Sequence, residues 1–143
     1  MTDFSHLKQL EVNKNKTAEL TMYEIVGEPT IILAPATEGN KPYFNALLRR
    51  TGKNVKRVAR GGLNAGVISE NRDEDRELFP AHVIQGWRGV RDAAGEEVEF
   101  SRDECAQWLQ ALPDYLFDRV REFAGDHSNF VDEVVDGEDT AKN

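Results

Sequence analysis

Three groups of side chains have types and spacings that invite a chemical reading: a carboxylate pair, a lone thiol among scattered imidazoles, and a run of cations. Glu97 and Glu99 lie two residues apart, which on a strand sets both on one face, as an acid and a base would need. A strand with one solvated face demands polar residues at those two positions anyway. No environment that would raise either pKa is visible in the sequence, so the surface reading is preferred. Cys105 is the one cysteine, which excludes an internal disulfide. It falls on the apolar face of a predicted helix with no basic group arranged beside it, the place of a small buried hydrophobe. His6, His82 and His127 are too scattered for metal-ligand spacing. The glycine-rich stretch of residues 60–66 lacks the Gly-Lys-Ser/Thr ending of a phosphate loop and follows no strand, so it reads as a connector. With no GxSxG, HExxH or CxxC in the chain, the expectation is a protein that binds proteins, without catalytic residues, cofactor or metal.

The cations are the clearest local anomaly. Arg49, Arg50, Lys53, Lys56, Arg57 and Arg60 concentrate positive charge in a chain of formal net charge -8. One reading is a docking face for an acidic partner or RNA. The preferred one is a solvated face paired with Glu70, Asp73, Glu74, Asp75 and Glu77 nearby in sequence. If the segment does recruit a partner, Tyr43 on the preceding helix and Phe130 near the other end are the apolar candidates beside those six cations.

The elements that must position these residues centre on residues 82–112. Val83 to Arg91 is rich in β-branched and aromatic residues and ends at Asp92-Ala93-Ala94-Gly95, after which residues 97–100 alternate polar and apolar. This predicts a β-hairpin with a loop of about four residues, and a bulge at Gly86 that returns Ile84 and Trp87 to one face. Ser101 and Glu104 form a capping box, and Cys105, Trp108, Leu109 and Leu112 follow at helical spacing. Pro113 ends that helix or opens another, on which Leu116, Val120, Phe123 and Ala124 share a face. The expected core is Trp87, Val98, Phe100, Trp108, Leu109, Leu112, Leu116, Val120 and Phe123.

Upstream, residues 1–16 read as an N-terminal arm, helical at best, its Phe4, Leu7 and Leu10 read as a loosely docked terminus in preference to a partner contact. Residues 17–25 and 30–34 predict a second hairpin turning at residues 26–29. Asn40 is placed to cap a helix to about Thr51, stopped by Gly52. Residues 67–79 read as a charged linker dividing a single domain of residues 17–131, Ser128 as a further helix cap, and residues 132–143 as an acidic, disordered tail. The fold class expected is α+β: two β-hairpins packed with several short amphipathic helices, a flexible N-terminal arm and a C-terminal tail.

At 143 residues, a core of useful size is available. The acidic balance argues against nucleic acid and anionic membranes as general partners. No stretch approaches the ~18 apolar residues of a membrane span, and residues 1–16 lack the apolar block of a signal peptide, so a cytosolic protein is expected.

The string VIQGWRGVRDAAGEEVEFS, a capped helix, and then LPDYLFDRVREFAGDHSNF resembles the small tail assembly chaperones of long-tailed phages, where a Gly-Trp hairpin precedes a Phe-Ser-capped helix and a terminal Asn-Phe. APATEGNKPYFNALLRR looks like the helix those proteins carry upstream. The resemblance covers roughly residues 31–130; the basic, glycine-rich residues 53–66 have no counterpart in it. It implies a protein of the host cytoplasm that coats the tape-measure protein, keeps its apolar helices soluble, delivers tail-tube subunits, and leaves before the virion matures. Self-association is compatible with that role. The runner-up is a resident virion component, such as a minor tail, connector or capsid-associated protein. A nucleic-acid regulator ranks last.

Overall fold

A computed structural model describes residues 2–50 and 65–132. Strand β1 (Ala18–Thr21) pairs antiparallel with β2 (Thr30–Leu33), with Ala18 opposite Leu33 and Thr21 opposite Thr30. The Thr21 and Thr30 hydroxyls share a 2.8 Å hydrogen bond across that last pair. Helix α1 covers residues 41–50, and α2 (Ala65–His82) leads into β3 (Ile84–Arg88). The chain then turns through residues 92–95 into α3 (Arg102–Ala111) and α4 (Asp114–Gly125). The fold is α+β, a three-stranded antiparallel sheet in the order β1-β2-β3 with helices packed against it.

The sheet corrects the expected hairpin of residues 83–100. Strand β3 takes β2 as its ladder partner, and residues 97–100 form no strand. They are held by a single bridge between Arg91 and Glu97, by the Val98 N–H donating to Val90 O at 2.8 Å, and by the Trp87 indole donating to Val98 O at 2.9 Å. Gly89, at φ +82°, turns the chain off the sheet before a second ladder can form. The bulge at Gly86 is present: Ile32 faces Gly86 and Leu33 faces Ile84, leaving Gln85 unopposed. Ile84 and Trp87 are therefore both buried, with Gln85 exposed between them. His82 ends α2, one residue before the expected strand start at Val83.

Residues 67–79, expected as a charged linker, lie within α2. Its inward stripe explains why a helix exists there: Leu78 and Phe79 are buried, and so are Asp75 and Arg76, one turn earlier on the same side. Phe79 stands edge-on to Tyr43 of α1 at 5.8 Å and to Phe117 of α4 at 5.5 Å between ring centroids, tying three helices together.

The local rules at the helix ends hold. Ser101 Oγ accepts from Glu104 N at 3.1 Å and starts α3, and Pro113 caps α4. Asn40 Oδ1 accepts from Tyr43 N at 3.4 Å, while its amide nitrogen donates to Pro35 O and His82 O at 2.9 Å each, joining the start of α1 to the end of α2. The 3-10 turn His127–Phe130 is capped by Asp126, which accepts from Ser128 N at 3.0 Å, so Ser128 receives the cap instead of supplying it. Of the expected core, Trp87, Leu109, Leu112, Leu116 and Val120 are buried, and Val98, Phe100, Trp108 and Phe123 are half-buried against them. Trp87 meets Phe100 and Trp108 edge-on at 5.2 and 5.6 Å.

Candidate functional site

The interior between α1, α2 and α4 is polar as well as apolar. Asp75 accepts from Tyr43 Oη on one oxygen and from Arg121 Nε on the other, each at 2.8 Å. Arg121 reaches on to Asp118 at 3.2 Å, and Asp118 takes the two-pronged guanidinium of Arg72 at 2.9 and 2.8 Å. Burial lifts the Asp75 carboxyl above its ordinary range, with the Arg121 and Tyr43 hydrogen bonds pulling the other way. Burial, then the Asp75 charge, raises the Tyr43 phenol. The Arg72 hydrogen bond holds Asp118 low. Beside this chain of contacts, Arg76 donates to Leu109 O at 2.8 Å and Leu112 O at 2.7 Å, and its guanidinium lies 5.1 Å from the Phe117 ring centroid. Two carbonyls at the end of α3 thus accept from a side chain of another helix, beside the Leu112 N–H that caps the last turn.

This network moves two expected partner residues inside. Tyr43 is buried on Asp75 and Phe79, because its place in α1 faces α2. Phe130 is fully buried, stacked edge-on with Phe123. Neither offers a docking surface. Arg50 is paired with Glu74 and Glu77 of α2, as the solvated-face reading requires. Arg49 is exposed. Lys53, Lys56, Arg57 and Arg60 lie outside the described residues, as do the helix stop at Gly52 and the tail beyond Asp132.

The exposed apolar residues sit elsewhere. Residues Ser5–Leu10 form a 3-10 helix with nothing buried, entered from Phe4, whose carbonyl accepts from Leu7 N at 3.0 Å. At three residues per turn, Phe4, Leu7 and Leu10 stack in one stripe, and they stand 64%, 50% and 61% exposed. The far end of this arm is fixed. Val12 bridges Val131, Asn13 N donates to Phe130 O at 2.8 Å, and the Asn13 side chain donates to both Asp132 oxygens at 3.1 Å. Tyr23 and Val26, in the loop from β1 to β2, are also largely exposed.

Groups suited to covalent chemistry are placed less favourably. Burial pushes the Cys105 thiol up to about 12, away from thiolate character. Glu97 and Glu99 are both exposed. Among the described residues no group of three or more His, Cys, Asp or Glu side chains is gathered as a metal site, and no helix is long and apolar enough to cross a membrane.

The chain belongs to the YdaY prophage protein family, whose family model matches residues 39–143. It is therefore a phage protein, and the match takes in α1 through α4 and β3. No curated protein and no solved structure matches it.

Proposed function

We propose that the chain is a non-enzymatic tail assembly chaperone of a long-tailed phage, acting in the host cytoplasm. In this role it binds the tape-measure protein through its N-terminal arm and recruits tail-tube subunits during assembly. The observation that carries the reading is the exposed stripe of Phe4, Leu7 and Leu10 on an arm whose other end is clasped to the domain. Such a stripe lends apolar side chains to a long amphipathic helix in the way helix-in-groove contacts do, while the clasp limits the entropy lost on binding. A formal net charge of -8 favours keeping a bound apolar helix in solution. Membership of a prophage family and the resemblance to tail assembly chaperones support the same role.

The test is co-expression with the tape-measure protein of the same phage. The tape-measure protein should be insoluble alone, soluble and co-purifying with the wild-type chain, and insoluble again with Phe4→Asp/Leu7→Asp/Leu10→Asp. Since those three side chains bury nothing in the domain, the triple variant should unfold at the wild-type temperature. Tape-measure solubility that does not respond to the wild-type chain refutes the proposal.

A further inference from the structure

The cations among the described residues divide into two populations. Arg50, Arg72, Arg76, Arg88, Arg119 and Arg121 each form an ion pair with a carboxylate of the chain. Lys8, Lys14, Lys16, Lys41, Arg49, Arg91 and Arg102 make no ion pair with another described residue, although the chain carries 26 acidic side chains against 18 basic ones. Two of them are brought together by the fold, not by the sequence. Lys14 and Lys41 line a cleft of about 460 Å³ whose walls also include Asn15, Gly39, His82 and Gln85.

The cleft is built from fixed parts. A side-chain carbon at Gly39 would lie 4.0 Å from Lys14 Cβ, so the turn carrying Lys14 rests on the turn leading into α1. Asn15 N donates to Asn13 Oδ1 at 3.0 Å, holding that turn next to the clasp with Asp132. On the other side the Asn40 amide donates to His82 O, and Ala34 N donates to Val83 O at 2.7 Å, pinning the end of α2 to β2 and to the start of α1. His82 reports the local field: burial first, then the charges of Arg102 and Arg49, hold its imidazolium below the ordinary range. Arg49 and Arg102 thus add positive charge near His82, whose neutral ring is a hydrogen-bonding group in the wall of the cleft.

We infer that this cleft, lined by Lys14 and Lys41, is a docking site for a carboxylate-rich peptide segment of a partner protein. Lys14 and Lys41, unpaired with any described carboxylate, give this concave surface a charge that attracts an anionic chain, and the Gln85 amide and His82 ring can bond its backbone. A polynucleotide is the poorer fit, because a chain of formal net charge -8 repels an extended polyanion that reaches beyond the cleft. This site is separate from the apolar arm and stands whether or not the tape-measure protein is the arm's ligand.

The full chain is titrated into fluorescein-labelled octaglutamate and followed by fluorescence anisotropy. Saturable binding is expected, weakening at least tenfold as salt rises from about 50 to about 300 mM. Lys14→Glu and Lys41→Glu should each weaken it about fivefold or more, whereas Lys8→Glu, the same charge change on the arm, should alter it less than twofold. Unchanged thermal unfolding of the variants keeps the comparison clean. No saturation by about 1 mM chain, equal weakening by Lys8→Glu, or tighter binding of a labelled octathymidylate would each overturn the inference.

Discussion

Replacing Arg76 with methionine keeps the length of the side chain and removes its charge and its donors. Arg76 is buried, and its two hydrogen bonds to Leu109 O and Leu112 O are the side-chain donors at the end of α3. Each hydrogen bond from a charged donor contributes roughly 1.5–3 kcal/mol, and the contact with Phe117 adds about 0.5–2 kcal/mol. Against this, the variant no longer desolvates a guanidinium, which returns several kcal/mol of the gross loss. The contact with Asp114 adds little, because that carboxylate is largely exposed. The net expectation is a loss of about 3 kcal/mol, a large share of the ~5–15 kcal/mol that holds a domain together. At this chain length that is roughly a 10 °C fall in Tm. Arg76→Lys keeps the charge but has no planar fork to span two carbonyls, and should fall between, at about 1–2 kcal/mol. Urea unfolding followed by circular dichroism measures both. An Arg76→Met variant within about 0.5 kcal/mol of wild type would refute the claim that this side chain secures the α3–α4 junction.

Two carboxylates give opposite dependences on pH. Asp118 has its folded-state pKa held below the ordinary 3.8, so its stabilisation is present above that value and is lost as the pH falls through the folded one. Asp75 is raised above 3.8, so stability declines as the pH rises from 3.8 through its folded value, and Asp75→Asn should remove that decline. Unfolding midpoints across this range should therefore show the difference between Asp75→Asn and wild type moving in favour of the variant as the pH rises; a constant difference contradicts the assignment. Gly89→Ala and Gly95→Ala separate strain from collision. Both glycines have positive φ, +82° and +85°, but a Cβ at Gly89 would lie 2.9 Å from Gly27 O, whereas one at Gly95 meets nothing within 4 Å. Gly95→Ala should lose about 1 kcal/mol and Gly89→Ala clearly more, and equal losses in the same unfolding assay would count against the packing of the two loops.

Much of what was legible in the sequence rests on rules that act within a few residues. The Ser101 cap, the Asn40 cap and the bulge beside Gly86 need no knowledge of the rest of the chain. The pairing of β2 with β3 does need it. Residues 97–100 lie close in sequence and carry a strand's alternation, yet the ladder goes to Thr30–Leu33, more than 50 residues away, because Ile31 and Leu33 can be buried there under the helices. Helix α2 was hidden for a related reason. Its buried stripe contains Asp75 and Arg76, partnered by Tyr43, Arg121 and the carbonyls of α3, so the apolar periodicity that normally marks a helix is interrupted by charge. The same partners account for Tyr43: an aromatic on an amphipathic helix reads equally well as a docking residue or as a core residue, and only α2 decides it. The cleft of Lys14, Lys41, His82 and Gln85 draws on segments about 70 residues apart and leaves no local signature. The exposed stripe on the arm was visible as Phe4, Leu7 and Leu10, but its 3-10 geometry and its clasp at Asn13 were not.

The most direct test of the proposed role is quantitative mass spectrometry of this chain in purified phage particles and in the lysate of the cells that made them. An assembly chaperone is abundant in the lysate and absent from the particles, and that is the result expected here. A fixed copy number in the particles would contradict the account and make the protein a resident virion component.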